Sequence, residues 1–123
     1  MESTKDEVSR INKRSDLYRL AFQKLDSNNW VPELVISHTG WGCGLNVKEI
    51  WPNAKMIAYL EWWFDPRSEL TKHFKESNYM QFDDTAQKKL WERNGFMAFE
   101  LGIADKIISP TIWQKKQLPN QFK

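Results

Sequence analysis

The order of apolar and polar residues along the chain predicts short strands that alternate with helices. Two segments, residues 8–25 and 84–101, carry apolar side chains at intervals of three and four, the spacing of one helix face. Three short runs are apolar without alternation, which is typical of strands buried inside a parallel sheet. The predicted elements, in chain order, are a helix over 8–25, a strand over 33–38, a helix over 45–51, a strand over 55–60, a helix over 84–101, a strand over 103–108 and a helix over 110–118.

Residues with capping chemistry stand at several ends of these predicted helices. A side-chain oxygen before a helix accepts a hydrogen bond from a free backbone N–H, proline suits the first helical position, and glycine suits the position after the last. The signals are Thr4 with Glu7, Asp84 with Gln87, Gly102, and Ser109 with Pro110. Residues 67–83 have no clear period, and we predict a loop with one short helix there.

The alternation of strands and helices sets the expected fold. Such crossovers are right-handed and place the strands parallel. We therefore predict a three-layer, Rossmann-like α/β unit, with a short parallel sheet of about three strands covered by helices on both faces. At 123 residues the chain is one domain at most.

Composition narrows the class of protein. The chain is 41% apolar and 28% charged, as in globular proteins, and its net charge of +2 comes from interspersed signs. No basic stripe alternates with aromatic residues, so no nucleic-acid partner is expected. Cys43 is the sole cysteine, which excludes an intrachain disulfide. The charged N-terminus and the short apolar runs predict a cytoplasmic protein without a signal peptide or transmembrane segment.

Three segments that follow the predicted strands carry the candidate chemistry. In parallel α/β sheets, ligands bind beyond the carboxyl ends of the strands. These ends are followed by residues 38–44, 61–65 and 109–111. No spacing typical of metal ligands is present, and no cofactor is predicted. The seven tryptophans can form a core, an interface or a platform for a sugar, and the core is the commonest of these.

The first of these segments is a loop with glycine at positions 40, 42 and 44. Two interpretations stay open. The loop presents backbone N–H groups to an anionic phosphate, or it is a tight turn with Trp41 packed into the core. The spacing matches neither the dinucleotide-binding fingerprint nor the phosphate-binding loop with its lysine.

His38 ends the first predicted strand, and Glu61 follows the second beside Trp62 and Trp63. His38 either contacts a substrate, as a proton carrier near neutral pH, or is a hydrogen-bonded structural residue. Glu61 either holds sugar hydroxyls while an indole ring covers the sugar face, or caps backbone N–H groups while the rings pack inward.

Four motifs, in order, resemble the N-terminal domain of family 4 glycosyltransferases. Residues 32–42 read PELVISHTGWG, similar to the family signature PDLVIxHxGWGE. Residues 51–55 read WPNAK where the family has FPDAK, and residues 61–64 read EWWF where it has Glu followed by aromatics. The last match resembles RN…LEAAD…SPTxWQ and consists of Arg93-Asn94, Glu100, Ala104-Asp105 and the segment SPTIWQ at 109–114. Together the matches cover roughly residues 8–119.

The resemblance implies a retaining transfer of a sugar from a nucleotide-sugar to an acceptor. It implies a GT-B fold of two facing Rossmann-like lobes, the first binding the acceptor and the second holding most of the donor. His38 is then the catalytic residue, in contact with the donor sugar or the transferred group. The implied substrate-binding residues are Gly40, Trp41, Gly42, Glu61 and Trp62, and Thr111 in the third segment completes the predicted set.

Two departures from the family pattern change this expectation. Cys43 stands where the family usually has Glu. The family's opening strands and its C-terminal lobe have no counterpart in the sequence. We therefore expect residues 1–123 to form a partial acceptor-side domain that has no turnover on its own.

Two other interpretations remain. The chain is a stand-alone binding or dimerising module descended from that domain, because a three-stranded sheet leaves edges and apolar faces that proteins usually cover. It then forms a homodimer or binds a partner chain. In the other interpretation, the chain is an enzyme of another kind that binds a nucleotide phosphate through the glycine loop.

Overall fold

The computed structural model describes residues 6–79 and 81–123, which form an α/β unit. Its helices are α1 (Glu7–Ser27), α2 (Val47–Ile50), α3 (Glu69–Glu76), α4 (Asp84–Ile103) and α5 (Ile112–Gln117), its strands are β1 (Leu34–His38), β2 (Lys55–Tyr59) and β3 (Lys106–Ile108), and a 3₁₀ turn spans Asn120–Phe122. Within these ranges, no helix combines the length and the apolar character needed to cross a membrane.

The three strands form one parallel sheet in the order β1-β2-β3. β1 and β2 pair over their whole length, from Leu34 opposite Lys55 to His38 opposite Tyr59. β3 pairs with the second half of β2. The prediction of a Rossmann-like unit with a short parallel sheet is confirmed. Because β1 and β2 end in register, the segments that follow them begin side by side.

One face of the sheet packs against α4 and forms the core. Ala58 of β2 clusters with Met97 and Leu101 of α4, and Met56 beside it is fully buried. α1 lies against α4 and α2, and its Ile11 is buried. The predicted apolar faces of α1 and α4 therefore reach the core in part, because Tyr18, Leu25 and Trp91 are 39%, 38% and 47% exposed.

The opposite face of the sheet is largely exposed and carries mostly apolar side chains beside Lys55, Lys106 and His38. Leu34 and Ile36 of β1 are 50% and 61% exposed, and Ile108 of β3 is 39% exposed. The register places Ile57 and Tyr59 of β2 on the same face. The expectation that helices cover both faces is therefore met on one face only. An apolar strand shows which surfaces can be buried and does not reveal which neighbours are present.

The N-terminal caps of the two long helices differ from the predicted ones. Thr4 lies outside the described residues, and α1 is capped by Asp6, whose carboxylate accepts a hydrogen bond from the N–H of Val8. α4 is capped by Asp83, not Asp84. Two adjacent aspartates carry the same capping chemistry, and Asp83 is the one with extended backbone angles.

Two other predicted helix ends are also wrong. Gly102 lies inside α4, and Ala104 follows the helix in an extended conformation, so no left-handed glycine ends it. Thr111, not Ser109, caps α5, because its hydroxyl accepts the N–H of Gln114 at 3.2 Å. Pro110 therefore lies before the cap and not in the first turn.

Candidate active site

The ends of β1 and β2 bring His38 and Glu61 together. His38 is the last residue of β1 and lies opposite Tyr59, two positions before Glu61. Its Nε2 is 3.2 Å from a carboxylate oxygen of Glu61, and its Nδ1 is 3.2 Å from the carbonyl oxygen of Thr39. Both ring nitrogens lie within hydrogen-bonding distance of an oxygen acceptor, so the ring is oriented from both sides.

A crevice of about 50 Å³ opens beside this pair. Its lining includes four of the predicted site residues, namely His38, Trp41, Glu61 and Trp62, together with Arg93 and Met97. The side chains of His38 and Glu61 are 40% and 49% exposed. Pockets that enclose a small ligand usually measure about 300–1,000 Å³. The crevice can therefore hold one group of a ligand and leaves the rest in the open.

The glycine loop beside the crevice is held by a buried carboxylate. Glu100 of α4 has no exposed surface, and its two oxygens accept hydrogen bonds from the N–H groups of Gly40, at 2.7 Å, and Gly44, at 3.0 Å. Burial raises the pKa of the Glu100 carboxyl, whereas these two hydrogen bonds and the nearby His38 oppose the rise. The N–H groups of the loop do bind a carboxyl group, but it belongs to the protein.

Gly42 of the same loop is required by its conformation and by its packing. Its φ angle is +86°, in the left-handed region that favours glycine. A Cβ atom there would lie 2.8 Å from the carbonyl oxygen of Ile11 in α1. Gly40 and Gly42 are both buried and neither lines the crevice, so they shape the loop around the site.

Trp41 projects from the loop and is 42% exposed. The alternative in which Trp41 packs into the core is therefore wrong. The guanidinium carbons of Arg14 and Arg93 lie 5.2 Å and 4.8 Å from its ring centre, within the range of cation–π attraction. Arg93 also forms an ion pair with Glu7, with Nε 3.1 Å from the carboxylate. These contacts connect Trp41 to α1 and α4.

Cys43, near the end of the glycine loop, connects the loop to β1 through hydrogen bonds. Its thiol donates a hydrogen bond to the carbonyl oxygen of His38 at 3.0 Å and lies 3.2 Å from the hydroxyl of Ser37. Burial raises the pKa of the Cys43 thiol. Its neutral S–H therefore supports the loop through hydrogen bonds.

Trp62 and Thr111 connect the site to α5 in different ways. Trp62 meets Trp113 of α5 edge to face, with ring centres 5.6 Å apart. The Thr111 hydroxyl donates to the side-chain oxygen of Gln114 at 2.7 Å while it caps α5. Thr111 is not among the residues around the crevice, so the structure does not bring it to His38.

The tryptophans are mostly a surface feature. Of the seven, all of which lie in the described ranges, Trp51 alone is buried. Its indole N–H donates to Asp26 at 3.1 Å. The commonest expectation, that the rings fill the core, is therefore met at Trp51 and in part at Trp63, which is half-buried and packs against the core.

Three residues of the site were not identified as functional from the sequence. Arg93 lines the crevice, Glu100 holds the glycine loop, and Asn94 exchanges two hydrogen bonds with the backbone of Phe64, at 3.2 Å and 2.8 Å. All three lie in the last quoted motif. For Glu100 the available signals were its place in that motif and a charge on the largely apolar face of a predicted helix.

The described residues contain no group of three or more His, Cys, Asp or Glu side chains placed to hold a metal ion. The crevice therefore has the chemistry of one imidazole, one carboxylate, one guanidinium and two indole rings. These groups can hydrogen-bond to hydroxyls, stack on a sugar ring and exchange a proton.

Comparison with known proteins places the chain in a family. The sequence profile described as the glycosyl transferase family 4 group matches residues 4–123. Searches of curated proteins and of solved structures gave no match. The matched range contains all three strands and the His38–Glu61 pair. The chain therefore belongs to the glycosyl transferase family 4 group.

Proposed function

We propose that this chain is the acceptor-side domain of a retaining, nucleotide-sugar-dependent glycosyltransferase that acts in the cytoplasm. The observation that carries the proposal is the contact between His38 and Glu61 at the carboxyl ends of adjacent parallel strands. Ligands of parallel α/β sheets bind at these ends. Membership of the family supplies the class of reaction.

The proposed roles follow from the position of each side chain. Glu61 accepts hydrogen bonds from hydroxyls of the acceptor, and Trp62 beside it covers an apolar sugar face. His38, which Glu61 orients at 3.2 Å, faces the transferred sugar as the catalytic residue. The loop at Gly40 and Gly42 carries Trp41 to the same crevice, and Thr111 offers a hydroxyl from the start of α5.

The openness of the site supports the further proposal that the chain has no turnover by itself. About half of the Glu61 side chain is exposed, and the crevice measures about 50 Å³. Group transfer requires a site that orients both substrates and excludes water. We propose that a second lobe grips the donor and closes over His38.

The test is sugar binding, measured by saturation-transfer difference NMR with methyl glucosides and UDP-glucose as probes. We expect saturation transfer to the sugar ring protons, because an open carboxylate–indole site binds sugars weakly but directly. Glu61→Gln and His38→Ala are expected to reduce the signal. Glu69→Gln, a matched change of an exposed carboxylate on α3, is expected to leave it unchanged.

Two outcomes would contradict the proposal. A sugar signal that is equal in the wild type and in Glu61→Gln would remove the acceptor site from this position. Formation of a glycoside from UDP-glucose by the purified chain alone would show that no second lobe is needed.

A second candidate function is a dimerising module derived from the same domain. The observation that favours it is the exposed apolar sheet face around Ile36 and Leu34. We propose a second copy of the chain as the occupant of this face, and the oligomeric state is its test. The nucleotide-binding alternative has less support, because the N–H groups of Gly40 and Gly44 already bond to Glu100.

A further inference from the structure

Glu100 is a carboxylate buried without a cation. It has no exposed surface, and none of the ion pairs among the described residues includes it. A carboxylate in such a place is costly unless hydrogen bonds compensate it. Its bonds come from backbone N–H groups that lie 60 and 56 positions earlier in the chain. The cost of burial is therefore offset first by the two N–H groups of the loop and then by the nearby His38.

The two bonds close the loop at both of its ends. Gly40 stands at its entry and Gly44 at its exit, and the residues between them belong to no helix or strand. One carboxylate therefore fixes the separation of these two positions. A Cβ atom at Gly44 would lie 2.6 Å from the Ser37 hydroxyl and 3.0 Å from a Glu100 oxygen. The absence of a side chain there is what lets the carboxylate approach the backbone.

The closed loop carries groups of the proposed site. Trp41 lies inside it, with its ring centre 6.4 Å from that of His38. Cys43, also inside it, hydrogen-bonds to the His38 carbonyl at 3.0 Å. A change in the separation of Gly40 and Gly44 must therefore move one or both of these contacts.

We propose that Glu100 is a positioning residue that acts as a built-in anionic ligand of the glycine loop and so sets Trp41 against His38. Two backbone N–H groups that converge on one carboxylate form the kind of concave anion site that loops elsewhere offer to phosphate. With Glu100 removed, the same N–H groups accept a small external carboxylate. The effect of Glu100 on sugar binding rests on the proposed function. Its effect on the geometry of the loop is independent of that function.

The experiment is chemical rescue of Glu100→Ala near neutral pH. The measured quantities are the NMR chemical shifts of the backbone amide protons of Gly40 and Gly44. We expect both amide protons to move upfield in the variant, because each loses a hydrogen bond to a charged acceptor. Acetate or formate is expected to return both resonances toward their wild-type positions and to raise the melting temperature. Acetamide and sodium chloride at the same concentration are expected to do neither.

Two further variants keep the test decisive. Glu92→Ala, on the same helix and with a side chain that is 22% exposed, is expected to leave both glycine resonances in place and to show no response to acetate. If Glu100→Ala does not fold, Glu100→Gln replaces it. Its amide oxygen can accept only one of the two N–H groups well, so one glycine resonance is expected to move and the other to stay.

The proposal is overturned if the Gly40 and Gly44 resonances do not move in either variant, or if acetamide restores them as well as acetate does. Sugar binding is measured separately on the same samples. We expect Glu100→Ala to weaken it about tenfold, the effect of losing roughly one hydrogen bond, and acetate to restore it. Restored loop resonances in a protein that never binds sugar would contradict the proposed function and still support the loop ligand.

Discussion

At the scale of single residues, the site depends on carboxylates in opposite environments. Glu61 is about half exposed and holds His38 from the solvent side. Glu100 has no exposed surface and holds the glycine loop from within. Asp105 is a third case, because a hydrogen bond from Lys48 at 2.7 Å and one from the N–H of Met56 lower its pKa. The same functional group therefore has three roles: Glu61 contacts His38, Glu100 binds the glycine loop, and Asp105 binds the N–H of Met56 near the start of β2.

The raised pKa of Glu100 makes the stability of the protein depend on pH. Above the ordinary carboxyl value of 4.5, the native state keeps a proton on Glu100 that the unfolded chain has lost. The native state then binds more protons, so the free energy of unfolding falls as the pH rises from 4.5 through the raised pKa. Asp105 acts in a separate window, because its lowered pKa removes stability only as the pH falls below 3.8.

Urea denaturation of the wild type and of Glu100→Gln, measured from about pH 4 to pH 8, tests this dependence. The difference in unfolding free energy between wild type and variant is expected to shrink as the pH rises, because Gln does not titrate. A difference that grows with pH would show that the native carboxyl is easier to ionise than the unfolded one.

At the scale of elements, the two kinds of glycine in this chain predict opposite effects of one substitution. Gly42→Ala places a side chain at φ +86° and within 2.8 Å of the Ile11 carbonyl oxygen. We expect the free energy of unfolding to fall by about 2 kcal/mol or more, since α1 must shift. Gly102→Ala meets no atom within 4 Å inside α4. It is expected to stabilise the protein by about 0.5–1 kcal/mol.

Denaturant unfolding of the two variants beside the wild type measures both effects. Gly95→Ala repeats the helical case, because Gly95 also lies in α4 with no atom within 4 Å of an added Cβ. No loss of stability in Gly42→Ala would contradict the packing of the loop on α1, and a loss in Gly95→Ala or Gly102→Ala would contradict the open space beside these two glycines.

The strands and long helices could be predicted because their signals are local. β1 and β2 are apolar runs whose predicted and observed bounds differ by one residue. The placement of His38 and Glu61 at one edge of the sheet also followed from local reasoning, since both stand at or just after the ends of parallel strands, but their contact was not predicted. The role of Glu100 could not be found in this way, because its partners lie 56 and 60 residues away. The prediction that Gly102 ends α4 was wrong because a glycine near a helix end allows the helix to terminate there without requiring it.

At the scale of the whole molecule, the sheet buries one face and exposes the other. Two strands of five residues and one of three, about 4.8 Å apart and rising about 3.3 Å per residue, present a face of about 200 Å². A stable dimer usually buries about 800 Å² on each partner. The face alone is therefore too small for a tight interface. Trp30 and Val31, 54% and 60% exposed and just before β1, are the apolar residues next to it in the sequence.

The oligomeric state and its response to one substitution test whether this face is an interface. Ile36→Lys puts a charge at the centre of β1, at a side chain that is 61% exposed. Because the site is already exposed in the monomer, we expect stability to change by no more than about 0.5 kcal/mol. Association is expected to fall, since the charge loses its water in the dimer. Light scattering and sedimentation at micromolar concentration measure the molar mass of both proteins.

Leu17→Lys, at a residue of α1 that is 68% exposed, is the matched control and is expected to dimerise like the wild type. A monomeric wild type, or an Ile36→Lys protein that still dimerises, would assign the exposed face to something other than a second copy, and the acceptor-side domain would remain the better account of the chain.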